Sequence, residues 1–540
     1  MKIVDVVFNI PIKQFFSYAI ENNIEVFPSQ RVLVPFGKQK KVGWIIRINN
    51  ENKSKPYKYK NIIKIYDNQP IFPERLLDIC KYLADVYSVP LGQIFYYLSN
   101  NISVKYLPSS EKIYSNKNIS EENSSVYIKN LKSIVEFYNY SDRIDFLVEL
   151  SQSVSGSQIY VFAHIHEMKK FYKKMEKIFS DRVILLFGGQ NKKEKTKSWF
   201  KIINSENSIV IGTRIALFAP LKSLKLIVVD EPEDFAHKET RMPRYYTRDI
   251  SLYINEKEKV PLVFSSIQPD IFEFNLIQEK KMVHFVINER KLPEVLLVPL
   301  KIPLKKSYIN EFSRHIMEKT ILENGKVVII NNSVKWNDII FEKLLKEYPD
   351  FSILKINKQA DFVDKSCNIF IGTETIINYL EEIMPKTVIF LNGDITISGE
   401  TFQTDEKIFL LIQKTRKKLL SDAKILIQTY NPQLPVYQSI LKNDTVHFYD
   451  YEISIRKKIN FPPFCHIIKI DFPVSIPESR ISVFCNKIEK YGDIYEENFK
   501  NKTKNSILWK VAALKSSMEI LEKIRKEEKL NKIKIDIDPV

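Results

Sequence analysis

The chain has 540 residues, 44% of them hydrophobic, which is enough for three to four domains of roughly 150 residues and excludes an intrinsically disordered chain. Lys and Arg number 82 against 65 Asp and Glu, a formal net charge of +17, so nucleic acid or an anionic membrane surface is the expected electrostatic partner. No apolar run approaches the roughly 18 residues of a spanning helix, and Pro11 and Lys13 interrupt any signal peptide, so we expect a cytoplasmic location.

Residues 1–105 begin with short β-rich runs separated by turn-forming Pro and Gly, and become helical later. The runs are Ile3–Phe8, Arg31–Pro35 and Val42–Asn49, and the helix is Pro73–Val86. This order predicts a small β-barrel-like module with attached helices. Residues 106–125 are rich in Ser and Asn without periodicity, which predicts a linker.

From residue 126, continuous β-branched runs alternate with amphipathic helices, a pattern typical of a buried parallel sheet. The first runs are Val183–Phe187, Ile209–Gly212, Leu224–Asp230 and Leu262–Ser265, and the later runs are Val327–Asn331, Ser352–Ile356, Asn368–Gly372, Val388–Asn392 and Ile425–Thr429. We therefore predict two α/β lobes, at 126–290 and 291–440, and a small α+β domain at 441–540.

Glycine and cysteine are both scarce. The 12 glycines compare with roughly 38 expected at a usage of about 7%, and they form neither a Gly-x-x-x-x-Gly-Lys-[Ser/Thr] loop nor a Gly-x-Gly-x-x-Gly fingerprint. The four cysteines are Cys80, Cys367, Cys465 and Cys485. Because no two of them have the spacing of zinc ligands, we expect no structural zinc.

Three fragments follow one another in the first predicted lobe: Val210–Pro220, Leu226–Glu233 and Arg244–Asp249. Their order and spacing resemble the first helicase lobe of the primosomal replication-restart family (primosomal protein N′, PriA). Further matches are Phe16–Tyr18, Val34–Gly37 and Leu83–Gly92 near the N-terminus, and Gln428–Pro432, Phe461–Phe464 and Asp536–Pro539 later. The resemblance spans nearly the whole chain. It implies an α/β fold with two tandem RecA-like parallel-sheet lobes, an N-terminal β-rich domain that binds DNA 3′ ends, and a small α+β C-terminal domain.

The connection after the first strand of the first lobe departs from that family. In active members a Gly-rich loop cradles the phosphates with backbone N–H groups, and its Lys reaches the β- and γ-phosphates. Here strand Ser133–Phe137 leads through residues 138–143 into helix Ile144–Leu150 without a glycine. Asp142 would cap the helix and repel a phosphate, and Arg143 does not replace the Lys. The sequence therefore predicts no working phosphate site.

Other ATPase motifs are altered as well. Asp230 and Glu231 keep two carboxylates that could hold Mg²⁺, although a solvated turn or helix-cap pair is the alternative. Residues 414–421 replace the family's Gln-x-x-Gly-Arg-x-Gly-Arg motif, so its arginine fork is absent. The family's Cys-rich zinc insert and a winged-helix segment are also missing. We predict a catalytically inactive helicase homologue with neither ATP hydrolysis nor zinc.

By the same resemblance, the N-terminal domain would grip a DNA 3′ end. The candidate residues are Phe16, Ser17, Tyr18, Gly37 and Lys60. Such ends are held by stacking a base on an aromatic ring, by polar contacts to the terminal hydroxyl and by Lys at a phosphate. Ser17 stands where the family usually has Asp, but a hydroxyl can both donate and accept a hydrogen bond. The alternative is that Phe16 and Tyr18 are core residues of a strand.

Basic side chains in both lobes are candidates for contact with the DNA backbone. They are Arg214, Arg244, Arg248, Lys417 and Lys418. A charge cluster such as residues 414–418 is more often a solvated helix face, and contact with the DNA backbone is the other interpretation.

We therefore predict a DNA-binding replication-restart (primosome) factor. It would recognise stalled forks or single-stranded DNA and, with replication-restart and helicase-loading proteins, help to reload the replicative helicase. One alternative is an active ATP-dependent 3′-to-5′ DNA helicase of the same family, which would need a phosphate loop. The other is a protein-interaction scaffold, which would lack affinity for forked DNA.

Overall fold

A computed structural model describes residues 2–50, 59–103, 126–301, 308–358, 363–395, 402–496, 505–530 and 532–539. The predicted linker at 106–125 lies outside these residues. The chain divides into two compact units: the first contains residues 1–133, 148–264 and 459–540, and the second contains residues 134–147 and 265–458. Within the described ranges, no helix has the length and apolar character needed to cross a bilayer.

The N-terminal region is a β-sheet followed by two helices. Its elements are β1 (Lys2–Val7), β2 (Phe16–Ile20), β3 (Arg31–Phe36), β4 (Gln39–Asn50), β5 (Lys64–Ile65), α1 (Glu74–Val86) and α2 (Leu91–Ser99), and the strand order is β2-β1-β4-β3-β5. Residues 60–66, which include β5, bond to both β2 and β3, because the Ala19 amide donates to the Lys60 carbonyl (2.9 Å) and the Tyr66 amide to the Arg31 carbonyl (2.9 Å). The sheet therefore closes like a barrel, as predicted.

Alternation along the strands decides which side chains fill this barrel. Successive residues of a strand point to opposite faces. Val4 and Val6 of β1 and Tyr18 of β2 therefore belong to one buried apolar cluster, against which Phe16 also packs. Ser17, between Phe16 and Tyr18, lies on the outer face and is exposed.

Gly92, at the start of α2, touches the end of β1 through backbone alone. A Cβ at this position would lie 2.0 Å from the Phe8 carbonyl oxygen. We expect Gly92→Ala to lower the free energy of unfolding by about 1–3 kcal/mol, because the helix must move away from the sheet. The denaturation midpoint measures this effect. Gly188→Ala is the matched control, since nothing lies within 4 Å of its Cβ position; equal shifts for the two variants would contradict the steric cause.

The next region alternates strands and helices. Its elements are α3 (Val126–Lys129), β6 (Lys132–Phe137), α4 (Tyr140–Gln152), β7 (Gln158–Phe162), α5 (Ile165–Phe179), β8 (Val183–Leu186), α6 (Lys192–Ile203), β9 (Ile209–Gly212), β10 (Leu226–Asp230), α7 (Thr247–Glu258), β11 (Leu262–Ser266), α8 (Ile271–Gln278) and β12 (Val283–Ile287). In the first unit, β10, β7, β9 and β8 are parallel neighbours in that order. Their residues are almost all buried, which explains why they form continuous apolar runs.

The second unit contains a six-stranded parallel sheet in the order β13-β18-β17-β14-β16-β15. Its elements are β13 (Glu294–Pro299), α9 (Glu311–Leu322), β14 (Val327–Ile330), α10 (Val334–Glu347), β15 (Ile353–Ile356), β16 (Ile369–Gly372), α11 (Leu380–Ile383), β17 (Thr387–Phe390), α12 (Thr404–Lys417), β18 (Lys424–Thr429), α13 (Pro435–Lys442) and α14 (Thr445–Lys458). Val328 and Ile330 enter one apolar cluster, whereas Val327 and Ile329 enter another. Both faces of this sheet are therefore buried.

The C-terminal region is a small antiparallel α+β arrangement. Its elements are β19 (His466–Phe472), α15 (Glu478–Ile488), β20 (Asp493–Glu496), β21 (Asn505–Val511), α16 (Leu514–Glu527) and β22 (Lys534–Ile537), and the strand order is β20-β21-β19-β22. The fold class predicted from the sequence is confirmed: a β-rich N-terminal region, two parallel-sheet lobes and a small α+β domain. The predicted domain boundaries stay a prediction, because the two compact units combine segments of several predicted domains.

Candidate nucleic-acid interface and degenerate nucleotide site

Only two residues, Tyr138 and Asn139, connect β6 to α4. The helix begins at Tyr140, earlier than the predicted start at Ile144. The amide of Ser141 donates to Asn139 Oδ1 (3.3 Å), which satisfies one of the backbone donors at the helix N-terminus. Phosphate-binding loops of the Gly-x-x-x-x-Gly-Lys type need several residues between the strand and the helix. The described residues leave no room for such a loop here.

Lys417 lies in the same unit as this connection and is only 2% exposed. Its Nζ donates to the Glu136 carboxylate and to the Ile267 carbonyl oxygen (2.6 Å), and lies 4.2 Å from the centroid of the Tyr138 ring. This burial does not fit the alternative of a solvated helix face, whereas the contact of Lys417 with the DNA backbone stays a prediction. The ion pair with Glu136 holds the ammonium group away from solvent.

The other groups around this ion pair are polar and form hydrogen bonds with it or with the neighbouring backbone. His284 Nε2 lies 3.0 Å from Glu136 Oε2. Arg290 donates to the backbone carbonyls of Tyr138 (3.0 Å) and Lys417 (2.9 Å). Burial opposes ionisation of Glu136, but the attraction of Lys417 and the bond to His284 outweigh it and lower the pKa of Glu136. We name these five residues, Glu136, Tyr138, His284, Arg290 and Lys417, the Lys417 cluster.

Asp230 is the last residue of β10 in the first unit and Glu231 follows it, and each is 1% exposed. This burial does not fit the alternative of a solvated turn. They belong to two groups of possible metal ligands, His164 with Glu231 and Asp234, and Glu167 with Asp230 and Glu231, whose ligand atoms lie within 4.8 Å of one another in each group. Carboxylate oxygens suit Mg²⁺, so these side chains fit the metal that the resemblance implies. The sequence did not predict the contribution of Glu167 and Asp234, because folding alone brings them to the strand end.

The other basic candidates are engaged within the protein. The contacts are Arg214 Nε to Glu239 Oε2 (3.6 Å), Arg244 Nη1 to Asp536 Oδ2 (3.4 Å), and the Arg248 guanidinium to the Tyr246 ring centroid (4.7 Å). Their side chains are 29%, 22% and 12% exposed, respectively. Lys418 is 4% exposed, and the contact expected for it with the DNA backbone stays a prediction. The DNA contacts of the three arginines stay a prediction.

In the N-terminal barrel, the aromatic candidates lie on the inner side of β2. The Phe16 ring is half-buried and meets Phe8 and Phe36 edge-on, with centroids 5.4 and 5.2 Å away. Tyr18 is 5% exposed, and its Oη donates to the Pro35 carbonyl (2.9 Å). The side chain of Tyr18 is therefore a core residue, as the alternative proposed, and its role at a DNA 3′ end stays a prediction. A stacking role for Phe16 stays a prediction.

The remaining candidates lie at three different places on the barrel. Ser17 is exposed on the opposite face of β2 from Phe16. Gly37 has a φ of 61° in the turn between β3 and β4, a conformation that favours glycine. Lys60 has an exposed side chain, and its carbonyl is bonded to Ala19 of β2. The structure thus does not place Phe16 and Ser17 on one surface.

Asp5, which the sequence prediction missed, lies directly across from Ser17 in the β1–β2 pairing. Ser17 Oγ donates to Asp5 Oδ1 (2.7 Å), and Asn49 Nδ2 donates to Asp5 Oδ2 (3.0 Å). Nearby, Phe15 is 45% exposed and the Arg47 guanidinium lies 5.8 Å from its ring centroid. Asp5 is a charged residue within the apolar run of β1, and this pattern in the sequence could have identified it as a candidate site residue.

Comparisons with known proteins agree with the predicted resemblance. Residues 5–98 match the family model of the 3′ DNA-binding domain (3′BD) of PriA. The Replication restart protein PriA of Borreliella burgdorferi is 24% identical over an alignment covering 90% of this chain and 89% of that protein. Its counterpart from Haemophilus influenzae is 20% identical, covering 86% and 87%. The counterpart from Bacillus subtilis is 22% identical, covering 54% and 46%.

Solved structures that are similar to this chain include two proteins bound to RNA. Saccharomyces cerevisiae Dbp5 bound to RNA and ADP BeF3 has a TM-score of 0.40 at 11% identity, covering 61% of this chain and 88% of that chain. Mss116p bound to single-stranded RNA and AMP-PNP has a TM-score of 0.41 at 13% identity, covering 58% and 69%.

The N-terminal match is to a DNA-binding domain, and the longer matches are to replication-restart proteins. The predicted family resemblance is confirmed, and the chain is related along most of its length to the replication restart protein PriA.

Proposed function

We propose that this protein is a replication-restart factor that binds forked or single-stranded DNA and helps to reload the replicative helicase without hydrolysing ATP. The match of residues 5–98 to a 3′ DNA-binding domain supports the DNA ligand. The observation that carries the loss of ATP hydrolysis is the two-residue connection between β6 and α4. The proposed place of action is the cytoplasm, and the proposed protein partners are those that load the helicase at a restarted fork.

Phosphoryl transfer relies on positioned cations and backbone donors around the phosphates, because the protein contributes little covalent chemistry. The Lys417 ammonium is neutralised by the Glu136 carboxylate and bonded to a backbone carbonyl. It is therefore not free to take up a phosphate. No Gly-rich loop is present at the end of β6 in the described residues to replace it.

Asp230 and Glu231 support a more limited role for a metal. With Glu167 they would hold Mg²⁺, and a bound ion would supply positive charge at the end of β10. The carboxylates orient no phosphate by themselves. These carboxylates are, however, the observation that favours the second candidate function, an active helicase. The rate of ATP hydrolysis distinguishes an active helicase from a restart factor that does not hydrolyse ATP. We propose no structural zinc, since the four cysteines are far apart in the sequence.

Binding to a free 3′ end is the property that tests the proposed DNA function. We expect fork DNA with a free 3′ leading-strand end to bind more tightly than the same fork with a 3′-phosphate, at every salt concentration. Charge alone would give a steep salt dependence and equal affinity for both forks, because counterion release carries no information about the end. Fluorescence anisotropy of labelled forks measures both affinities.

Lys60→Ala is the control for charge in this experiment. It should weaken binding to both forks equally and reduce the salt slope by about one. Equal affinity of the unmutated protein for free and blocked ends would count against end recognition.

A further inference from the structure

Two neighbouring strand ends in the first unit bring a histidine and two carboxylates together. His164 comes just after β7 and is the N-cap residue of α5. Glu231 follows β10, and Asp234 is the N-cap residue of the short 3₁₀ turn Phe235–His237. Because β7 and β10 are adjacent parallel strands, the residues that follow them lie at the same edge of the sheet. Only the folded sheet therefore places these three side chains side by side.

The distances between these side chains suit a metal ion. One ligand atom of each residue lies within 4.8 Å of the other two, and His164 Nε2 is 2.9 Å from Asp234 Oδ2. Bonds from a metal to imidazole or carboxylate are about 2.1 Å long, so an ion between the three atoms needs only small side-chain movements. The side chains of His164 and Asp234 are 27% and 20% exposed, whereas Glu231 is 1% exposed. An ion can therefore enter from solvent and bind against a buried carboxylate.

The two ligand groups at this strand end offer different atoms to a metal. Glu167, Asp230 and Glu231 offer carboxylate oxygen alone, which suits Mg²⁺. His164 adds an imidazole nitrogen to the carboxylates of Glu231 and Asp234. Imidazole is a ligand of transition metals, and carboxylates and water also suit Mn²⁺. Structural zinc, in contrast, usually takes four protein ligands, most of them Cys or His. One nitrogen and two carboxylates therefore fit a divalent transition-metal ion such as Mn²⁺.

His237 provides a second, independent feature at the same place. Its side chain is fully buried, and its Nε2 lies 2.8 Å from the Asp230 carbonyl oxygen, which can only accept a hydrogen bond. Nε2 therefore carries the proton. Nδ1 is then an acceptor, and it has no hydrogen-bond partner within the described ranges of the chain. The His237 amide donates to the Asp234 carbonyl (3.0 Å), so this buried acceptor belongs to the same turn as one of the three ligands.

We propose that His164, Glu231 and Asp234 bind one divalent transition-metal ion of the Mn²⁺ type in the absence of nucleotide, and that a water on this ion donates to His237 Nδ1. Such a water would satisfy the buried acceptor. The ion would join the start of α5, the end of β10 and the turn Phe235–His237. It would also offset the repulsion between carboxylates that share one strand end. This site requires neither DNA nor a phosphate, so it goes beyond the proposed function.

The test uses the full chain, freed of metal with a chelator, and Mn²⁺ alone as the probe. The sharp paramagnetic resonance signal of free Mn²⁺ weakens when the ion binds, so a titration gives the stoichiometry and the affinity. We expect one Mn²⁺ per chain without nucleotide, displaced by Mg²⁺ only at concentrations about tenfold higher or more. His164→Gln and Asp234→Asn should each weaken Mn²⁺ binding by about tenfold or more, because each removes a ligand.

His166→Gln is the matched control for the loss of an imidazole. His166 lies two residues further along the chain and belongs to neither ligand group of the described residues. This variant should bind Mn²⁺ as the unmutated protein does. A ligand of the folded state raises the melting temperature, so Mn²⁺ should raise it for the unmutated protein and for His166→Gln, but not for His164→Gln. Far-UV circular dichroism checks that each variant is folded.

Three results would overturn the proposed site. The first is that the unmutated protein binds no Mn²⁺ without nucleotide. The second is that His164→Gln binds Mn²⁺ as tightly as the unmutated protein, or that Mg²⁺ competes equally with Mn²⁺, because the ion would then be held by the carboxylates alone. The third is equal weakening by His164→Gln and His166→Gln. DNA affinity and ATP hydrolysis are separate measurements, so failure of this site leaves the proposed function standing.

Discussion

Purified protein is expected to hydrolyse ATP no faster than buffer, with or without forked DNA. An active enzyme typically turns over about 10 substrate molecules per second, so the expected deficit is at least a thousandfold. The physical reason is the direct passage from β6 into α4, which leaves the described residues without a Gly-rich loop at this strand end. The Lys417 ammonium, which neighbours this connection, is already neutralised by Glu136. A coupled assay of ADP release measures the rate.

The Asp230→Ala variant distinguishes ATP hydrolysis by this protein from ATP hydrolysis by a contaminating enzyme. Activity that persists unchanged in this variant comes from a contaminating enzyme, because Asp230 is one of the two carboxylates that would hold Mg²⁺. DNA-stimulated turnover by the unmutated protein that disappears in Asp230→Ala would overturn the proposal and favour the active helicase instead.

Lys417→Met should destabilise the second unit by about 3–5 kcal/mol, because it leaves the buried Glu136 carboxylate without its cation. For a unit of this size the loss corresponds to a fall in melting temperature of roughly 10 °C. Differential scanning calorimetry of the full chain measures this shift. Met keeps much of the length and apolar character of the Lys side chain, so the effect isolates the charge.

Two further variants test whether charge pairing causes this loss. Glu136→Leu combined with Lys417→Met should recover much of the stability, since replacing both members of a buried pair by apolar residues is far less costly than removing one. Lys386→Ala breaks an exposed pair with Asp422, whose side chains are 46% and 62% exposed, and should change the unfolding free energy by less than about 1 kcal/mol. Similar losses for Lys417→Met and Lys386→Ala would exclude a special contribution from the buried pair.

Much of the fold was predictable because its strands are buried on both faces. Such strands form uninterrupted β-branched runs, and the predicted runs at Ile209–Gly212 and Val183–Phe187 agree with β9 and β8 to within one residue. The start of α4 was placed too late, at Ile144 instead of Tyr140. Polar residues such as Ser141 and Asp142 are typical of loops, but they also suit the first turn of a helix.

The sites were less predictable, because their polar residues are paired by tertiary structure. The basic sequence around Lys417 indicated solvent or DNA, yet its carboxylate partner is Glu136, 281 residues earlier in the chain. No pattern in the sequence near Lys417 indicates a partner so far away in the chain. Asp5 is different, since a charged residue inside an apolar strand was visible in the sequence. Its partners Ser17 and Asn49 became identifiable only from the register of β1 with β2 and β4.

The closure of the N-terminal barrel by residues 60–66 limits how this domain can recruit other molecules. Many proteins capture an extended peptide by adding it to an open sheet edge. In this domain the main-chain groups of Ala19 on β2, and of Arg31 and Leu33 on β3, are already bonded to residues 60–66. A partner protein therefore cannot extend the sheet at these positions, and strand exchange between copies is disfavoured for the same reason. A protein that docked at these positions would have to recognise side chains and turns instead of adding a strand.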